Sequence, residues 1–439
     1  KAEPEDVDED TWVLDLEDVE KESSKLLQKT RYAEKPFQSS KNRFAKGDVI
    51  YGKLRPYLDK VIVADEGGVC TTEMIPLRGY ADISPFYLRL VMKTPHFIKY
   101  ADDSTHGMNL PRLGTDRARM ALFPIAPYNE QHRIVAKVDE LMALCDQLEQ
   151  QQTHSIEAHQ TLVETLLGTL TRVASQQELT EAWTRIANHF DTLFITDHSI
   201  DQLKQTILQL AVMGKLVPQD PNDEPACELL SRKQDSAEEN IPFRIPESWV
   251  WARVDGFAQT RLGKMLDKAK NKGTPVRYLR NVNVRWFDFD LSDVKEMRFE
   301  DSELEEFSLR RGDVLICEGG YPGRAAVWDE RESNIYFQKA IHRVRFQNGV
   351  NPNYFVYVLR ESADSGRLNS YFTGAGIQHF TGKGLASFLV PLPPLPEQHR
   401  IVAKVDELMA LCDALKARLA DAKTTQIHLA DAIVEQAVA

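Results

Sequence analysis

Cysteine is scarce and unpatterned in this chain: five in 439 residues, Cys70, Cys145, Cys227, Cys317 and Cys412, none spaced as CxxC. An odd, scattered set supports neither a disulfide framework nor a zinc ribbon, so a reducing, cytoplasmic setting is expected. No run is long and apolar enough to span a membrane, and the opening KAEPEDVDED lacks the charged-then-apolar pattern of a signal peptide. The first residue is lysine rather than methionine, which suggests that the natural chain begins upstream. Catalytic signatures are missing too. There is no GxxxxGK(S/T) loop, no GxGxxG opening a helix, and no asparagine-proline-proline-aromatic motif of the kind adenine methyltransferases use. The chain is expected to perform no chemistry alone and to hold no metal or cofactor.

Length and a hydrophobic content of 42% allow about two or three domains with separate cores. The net charge of -12 argues against a nucleic-acid partner until its distribution is considered. Between 261 and 285 stand Arg261, Lys264, Lys268, Lys270, Lys272, Arg277, Arg280 and Arg285 against one acid, Asp267. A second basic stretch covers 41–60, and Arg112, Arg117 and Arg119 follow. The acids gather elsewhere, at the N-terminus and in 300–306. The plainer reading of any one such run is a solvated face.

What the chain has in abundance is self-similarity. EQHRIVAKVDELMALCD begins at Glu130 and recurs, unchanged over 17 residues, at Glu397. Apolar positions step by four and three through Ile134, Val138, Leu141, Cys145 and Leu148, then Leu162 and Leu166, which predicts a long helix with a heptad seam. The second copy continues through Ile401, Val405, Leu408, Cys412, Leu415, Leu419, Ala422, Leu429 and Ile433, broken only at Gln426. The first places Gln152, Ser155 and His159 on its seam. Each helix follows a proline-rich strap, FPIAPYN or VPLPPLP, with Asn129 the expected N-cap of the first. About forty residues of helix are roughly 60 Å long. Two such helices bury their seams most simply against each other, packed antiparallel.

The segments before the helices read as two versions of one α+β domain. KNRFAKGDVIYGKLRPYLDKVIVAD matches EFSLRRGDVLICEGGYPGRAAVWDE in its basic-Gly-Asp-Val-aliphatic core, and ISPFYLRLVMK matches NPNYFVYVLRE. STHGMNLPRLGTDRARMALFPIAP matches TGAGIQHFTGKGLASFLVPLPP, a glycine-containing loop, a short helix and a strand. Alternating runs such as DVLIC, AAVWD and HRVRF predict strands.

These motifs resemble a known family. Variable domain, fixed helix, variable domain, fixed helix, together with PLPPLPEQHRIVAKVDELMALCD, IPESWVWARV, QLKQTILQLAVMGKLVPQDPNDEPACELL, YLRNVNVRW and CEGGYPGRAAVW, are similar to the DNA specificity (S) subunit of type I restriction-modification systems. The resemblance covers nearly the whole chain. It implies an α+β fold with two target-recognition domains and two long helices forming an antiparallel coiled coil with pseudo-two-fold symmetry. The first domain would occupy 1–129, the first spacer helix 130–172, a helical connector and partner-docking region 173–244, the second domain 245–396, and the second spacer helix 397–439. The first domain opens at TWVLDLEDV without a counterpart of the PESWVWARV strand, so its N-terminal part is expected to be incomplete.

The resemblance further implies a non-catalytic subunit in which two domains read the halves of a split double-stranded DNA site while the helices set the gap. Two readers on one face of B-DNA are centred about 34 Å apart. Expected partners are two DNA methyltransferase (M) subunits and a restriction (R) translocase-nuclease subunit, docking on the helix faces and on 201–230. S-adenosylmethionine and, for restriction, ATP and Mg would belong to those partners. Basic and amide side chains suit phosphates, guanine and adenine edges. The candidates are Lys264, Arg280, Asn281, Asn283, Arg285, Tyr321, Arg324, Gln378, His379 and Lys383 in the second domain, and Lys53, Arg55, Tyr57, His106, Asn109 and Arg112 in the first. A tyrosine or histidine in a loop is as readily packing or solvated surface. Gly319, Gly320 and Gly323 are expected to shape a turn rather than hold a phosphate, and Glu130 and Glu397 to cap their helices or face solvent. Two other readings stay open: a coiled-coil scaffold without base readout, and a stand-alone DNA-modifying enzyme.

Overall fold

The structure, a computed structural model, describes all residues except 81, 107, 108, 174, 231–240, 268, 270, 348 and 439. The chain divides into two compact units, Lys1–His154 and Ser155–Ala439. Both are built of mixed helices and sheets.

In the first unit a four-stranded sheet runs in the order Thr30–Arg31, Trp12–Leu14, Gly68–Cys70, Asn42–Phe44, and a three-stranded sheet in the order Val61–Val63, Val49–Gly52, Met74–Leu77. Trp12, Leu14, Ile50, Cys70 and Met74 fill the core between them. Helix α1 (Pro85–Met92) starts with a proline in its first turn, where the missing N–H costs nothing, and lays Met92 against Val49 and Tyr51.

The second unit has a four-stranded sheet, Ala258–Leu262, Ile341–Phe346, Val314–Cys317, Ala325–Val327, and a three-stranded sheet, Lys295–Phe299, Thr274–Leu279, Tyr336–Phe337. The strands expected from DVLIC, AAVWD and HRVRF are therefore neighbours in one sheet. Helices α2 (Tyr128–Arg172), α3 (Asp197–Val212), α4 (Pro352–Asp364) and α5 (Leu395–Val438) complete the helices that matter here.

The shared motif Gly-Asp-Val folds the same way twice. Gly47 and Gly312 turn the chain at φ +85° and +90°. Asp48 then accepts the Ala45 N–H at 2.8 Å and Asp313 the Arg310 N–H at 2.8 Å. A guanidinium fork clasps each carboxylate, Arg78 at 2.7 and 2.8 Å and Arg345 at 2.7 and 2.7 Å. The turn thus delivers a buried strand, Val49–Gly52 or Val314–Cys317, in a fixed direction.

The repeated EQHR segment is anchored by its glutamine. Gln131 accepts the Ser84 N–H at 2.8 Å, ahead of α1, and donates to the Ala126 carbonyl at 2.8 Å. Gln398 accepts the Asn351 N–H at 2.8 Å, ahead of α4, and donates to the Pro393 carbonyl at 2.9 Å. Beside it, Tyr87 donates to the Pro124 carbonyl and Tyr354 to the Pro391 carbonyl, at 2.9 and 2.6 Å. One side chain locks strap, domain helix and long helix together in each unit.

Several expectations are corrected. Helix α2 begins at Tyr128, so Asn129 lies inside its first turn and is not the N-cap. Glu397 neither caps nor faces solvent: it is buried and accepts the Trp249 indole N–H at 2.9 Å. Burial raises its pKa above the usual carboxylate range, against the lowering effect of the Trp249 and Gln219 hydrogen bonds. Glu130, with the same sequence around it, is exposed. Strand Val250–Arg253 pairs antiparallel with the strap strand Leu389–Leu392. In the first unit residues 121–127 form no strand, and Leu122 and Ile125 are 87% and 68% exposed. TWVLDLEDV supplies instead a strand parallel to Gly68–Cys70.

The long helices span 45 and 44 residues. In the second unit the seam residues Ile401, Val405 and Cys412 are buried where α5 packs on α3 and α4. Ion pairs Lys204–Asp413 and Lys416–Asp201 flank that contact. Within this unit the seam of α5 thus meets the connector helix α3 rather than another long helix. Farther along α5, Leu429 and Ile433 are about 60% exposed. On α2 the buried residues past 155 are Val163, Leu167 and Leu170, one position beyond the expected Leu162 and Leu166. A straight helix has 3.6 residues per turn and drifts about 20° per heptad, so four heptads after Ile134 the same face has moved almost one residue.

Gln398→Ala leaves the Asn351 N–H and the Pro393 carbonyl without their partner and is expected to destabilise the protein by about 1–3 kcal/mol. Thermal denaturation should show a clearly lower midpoint; an unchanged midpoint would mean that the clamp contributes nothing.

Candidate nucleic-acid interface

In the second unit three loops converge beyond the end of strand Val314–Cys317. Asn281, after strand Thr274–Leu279, donates its amide to the Gly319 carbonyl at 3.0 Å. The Asn281 carbonyl accepts from the Arg324 guanidinium at 2.9 Å, and that guanidinium stacks on the Tyr321 ring 4.0 Å from its centre. Gly319 forms a backbone bridge with His379, whose Nδ1 lies 3.1 Å from the Glu318 carboxylate. Gly320 and Gly323 adopt positive φ, and a Cβ on Gly320 would meet the Asn281 amide at 2.4 Å. The glycines shape the turn, as expected. Tyr321, 60% exposed, Gln378 and Lys383 point their polar groups outward with no partner among the described residues.

The other candidates of this unit are held internally. Asn283 is buried, accepts the Arg280 N–H and donates to the Asp290 and Asp293 carbonyls at 2.8 and 3.0 Å. Lys264 is buried against Glu303 and lies 4.8 Å over the Phe299 ring. Arg280 is paired with Asp293 at 2.7 Å and Arg285 with Asp290 at 3.1 Å. Arg261 and Arg277 add pairs with Glu306 and Glu332. The basic stretch 261–285 therefore meets the acids that the sequence placed apart from it, and Lys272 is its one described cation without an acidic partner. Lys268 and Lys270 lie outside the described residues.

The first unit repeats the frame with other side chains. After strand Val49–Gly52, Leu54 bridges to Arg112, as Gly319 bridges to His379. The Arg55 N–H donates to the Pro111 carbonyl at 2.7 Å, and Arg112 is paired with Glu73 at 2.9 Å. Arg55 has φ +54° and is exposed, Tyr57 is 48% exposed, Asn109 is exposed and Lys53 is half-buried. His106 sits in strand Thr105–His106 opposite Arg112, with its side chain outside the described atoms. Sequence reasoning passed over Leu110 and Ile377, 44% and 73% exposed in these loops. Their signal is an aliphatic residue in an otherwise polar, glycine-containing segment.

Among the described residues no cluster of three or more His, Cys, Asp or Glu could hold a metal ion, and no helix is long and apolar enough to cross a membrane. Residues 246–422 match the family model described as type I restriction modification DNA specificity domain. The EcoAI specificity subunit of a type I restriction enzyme from Escherichia coli is 37% identical, covering 90% of this chain and 72% of the relative. The chain belongs to the type I restriction enzyme specificity subunits. A second such subunit from Escherichia coli, EcoEI, is 32% identical over 90% of this chain and 73% of the relative. The fold is also shared. A chain from a structure solved for complex assembly and conformational transition of the type I R-M system superposes with TM-score 0.56 at 18% identity, over 97% of this chain and 90% of that one. The HsdS subunit from Thermoanaerobacter tengcongensis does so with TM-score 0.50 at 18% identity, over 97% and 89%.

Beneath the converging loops of this specificity subunit lies a buried histidine. His342 is bonded to the Phe380 carbonyl at 2.8 Å, next to His379, and burial lowers its pKa, against a raising effect of that bond. The unfolded ring takes its proton near pH 6.5 and the folded ring only lower, so its stability contribution is full above about 6.5 and is lost as pH falls. Denaturation midpoints should drop between pH 7 and 5, and His342→Gln should flatten that part of the profile. An equally steep profile in the variant would remove His342 as its source.

Proposed function

We propose that this specificity subunit reads a split double-stranded DNA target with one loop cluster in each unit, and directs partner subunits to it without catalysing a reaction itself. The observation that carries this reading is the twice-used frame: the Leu54–Arg112 and Gly319–His379 bridges hold loops of unlike sequence on matching strands. A frame kept constant under changing polar side chains is what base readout at two different half-sites requires. The exposed amide, tyrosine and lysine groups of these loops are suited to base edges and phosphates, and the internally paired arginines to holding the loops in shape.

The partners of this reading are two DNA methyltransferase subunits and a restriction subunit, with S-adenosylmethionine, ATP and Mg bound by them. The setting is the cytoplasm, where the chromosome and reduced cysteines are. Docking would use the exposed faces of α2 and α5. A scaffold without base readout, or an enzyme acting on DNA alone, would each behave differently in the same experiment.

That experiment is a genome-wide map of adenine methylation in cells carrying this gene and its methyltransferase partner, against cells lacking only this gene. A split motif that disappears on deletion is expected. Methylation unchanged by deletion, with the partner expressed and active, would favour the scaffold; methylation of DNA by the purified chain alone would favour the enzyme.

A further inference from the structure

The tips of the two hairpin loops carry matching chemistry. In the second unit Thr373 pairs with His379, and in the first His106 pairs with Arg112, so both loops close across the same number of residues. The second turns tightly at Gly374, φ +107°, where a Cβ would lie 2.2 Å from the Ile377 carbonyl oxygen. The loops differ in sequence, HGMNLPR against TGAGIQH, yet each presents one amide beside one aliphatic side chain: Asn109 and Leu110, Ile377 and Gln378. Both aliphatics are exposed, and both amides are exposed without a hydrogen-bond partner among the described residues.

A single exposed leucine or isoleucine is ordinary. An exposed aliphatic at the same place in two otherwise unlike loops, each with an exposed amide next to it, before Leu110 and after Ile377, calls for a common target. In the major groove an A·T pair offers the adenine N7 acceptor and N6 donor, which an asparagine or glutamine amide grips in a bidentate manner, and the C5 methyl of thymine, which an aliphatic group meets. A G·C pair offers neither that donor-acceptor order nor a methyl. The backbone supports such a role, because the Arg112 guanidinium donates to the Leu110 carbonyl at 3.2 Å and Arg55 holds the Pro111 carbonyl, which steadies the first tip.

We propose that each loop tip reads an A·T base pair in the major groove, with Asn109 or Gln378 on the adenine and Leu110 or Ile377 against the thymine methyl. This rests on the DNA-reading function proposed above and adds the class of base pair to it.

The test uses the chain assembled with its methyltransferase subunits and a duplex carrying the mapped target. Each thymine is replaced singly by deoxyuridine, which removes only the methyl, and each adenine by 7-deazaadenine, which removes only N7. Wild type should bind about fourfold more weakly at one deoxyuridine position in each half-site, the worth of about one buried methyl. It should bind about tenfold more weakly at the paired 7-deazaadenine, within the range of a bidentate base contact. Ile377→Ala should abolish the deoxyuridine effect in one half-site and Leu110→Ala in the other. No sensitive thymine in either half-site would overturn the proposal, as would full sensitivity retained in both variants. Since the substitutions in the DNA are read with wild-type protein, folding of the variants does not decide the first result. A wild-type complex that recognises no split target at all would instead remove the function on which the proposal rests.

Discussion

One buried glutamine in each unit carries the relation between what varies and what is kept. Gln131 and Gln398 each join a strap carbonyl to the N–H that opens a domain helix, while sitting on the first turn of a long helix. A buried amide left with half its bonds is costly, so all three pieces must keep their relative geometry. The loops at the far end of the matching strands carry no such restriction. A fixed joint beside free loops is the physical answer to why a segment recurs unchanged while its neighbours diverge.

The identical segments do not have identical surroundings. Ile401, Val405 and Cys412 are buried on α3 and α4, whereas the matching Ile134 and Val138 are only partly buried and Cys145 is exposed, with Leu141 and Leu148 of the same helix about half exposed. Glu397 is buried under Trp249, and Glu130 is not. Packing alone therefore does not explain the repeat. An apolar stripe left open on α2 is in keeping with a helix that meets a partner subunit.

Much of this was visible in the sequence where a short-range rule applies. Helix periodicity, the proline straps and the strands at 314–317 and 341–346 depend on residues close together in the chain, and they form as expected. On α2 the expected Leu162 and Leu166 give way to Val163 and Leu167 as the buried residues, because a 3.5-residue repeat was carried too far along a helix with 3.6 residues per turn. The charge reading failed for a different reason. Lys264 meets Glu303, 39 positions on, and Arg277 meets Glu332, 55 positions on, so the neutralisation exists only after folding. Likewise Asn283 resembles a base reader in sequence but is spent on the Asp290 and Asp293 carbonyls. The loop residues Tyr321, Arg324 and His379 do come together, around the glycine turn at 319–323 that the sequence made legible.

The measurement that tests the account most directly is to lengthen the helix without touching a reader. Duplicating residues 141–147 adds one heptad, about 10 Å of helix, far from the loops and from Gln131. The account predicts that the methylation motif keeps both half-sites and acquires a different gap. Altered bases in either half-site, or an unaltered gap in an active complex, would contradict the separation of reading from spacing on which it rests.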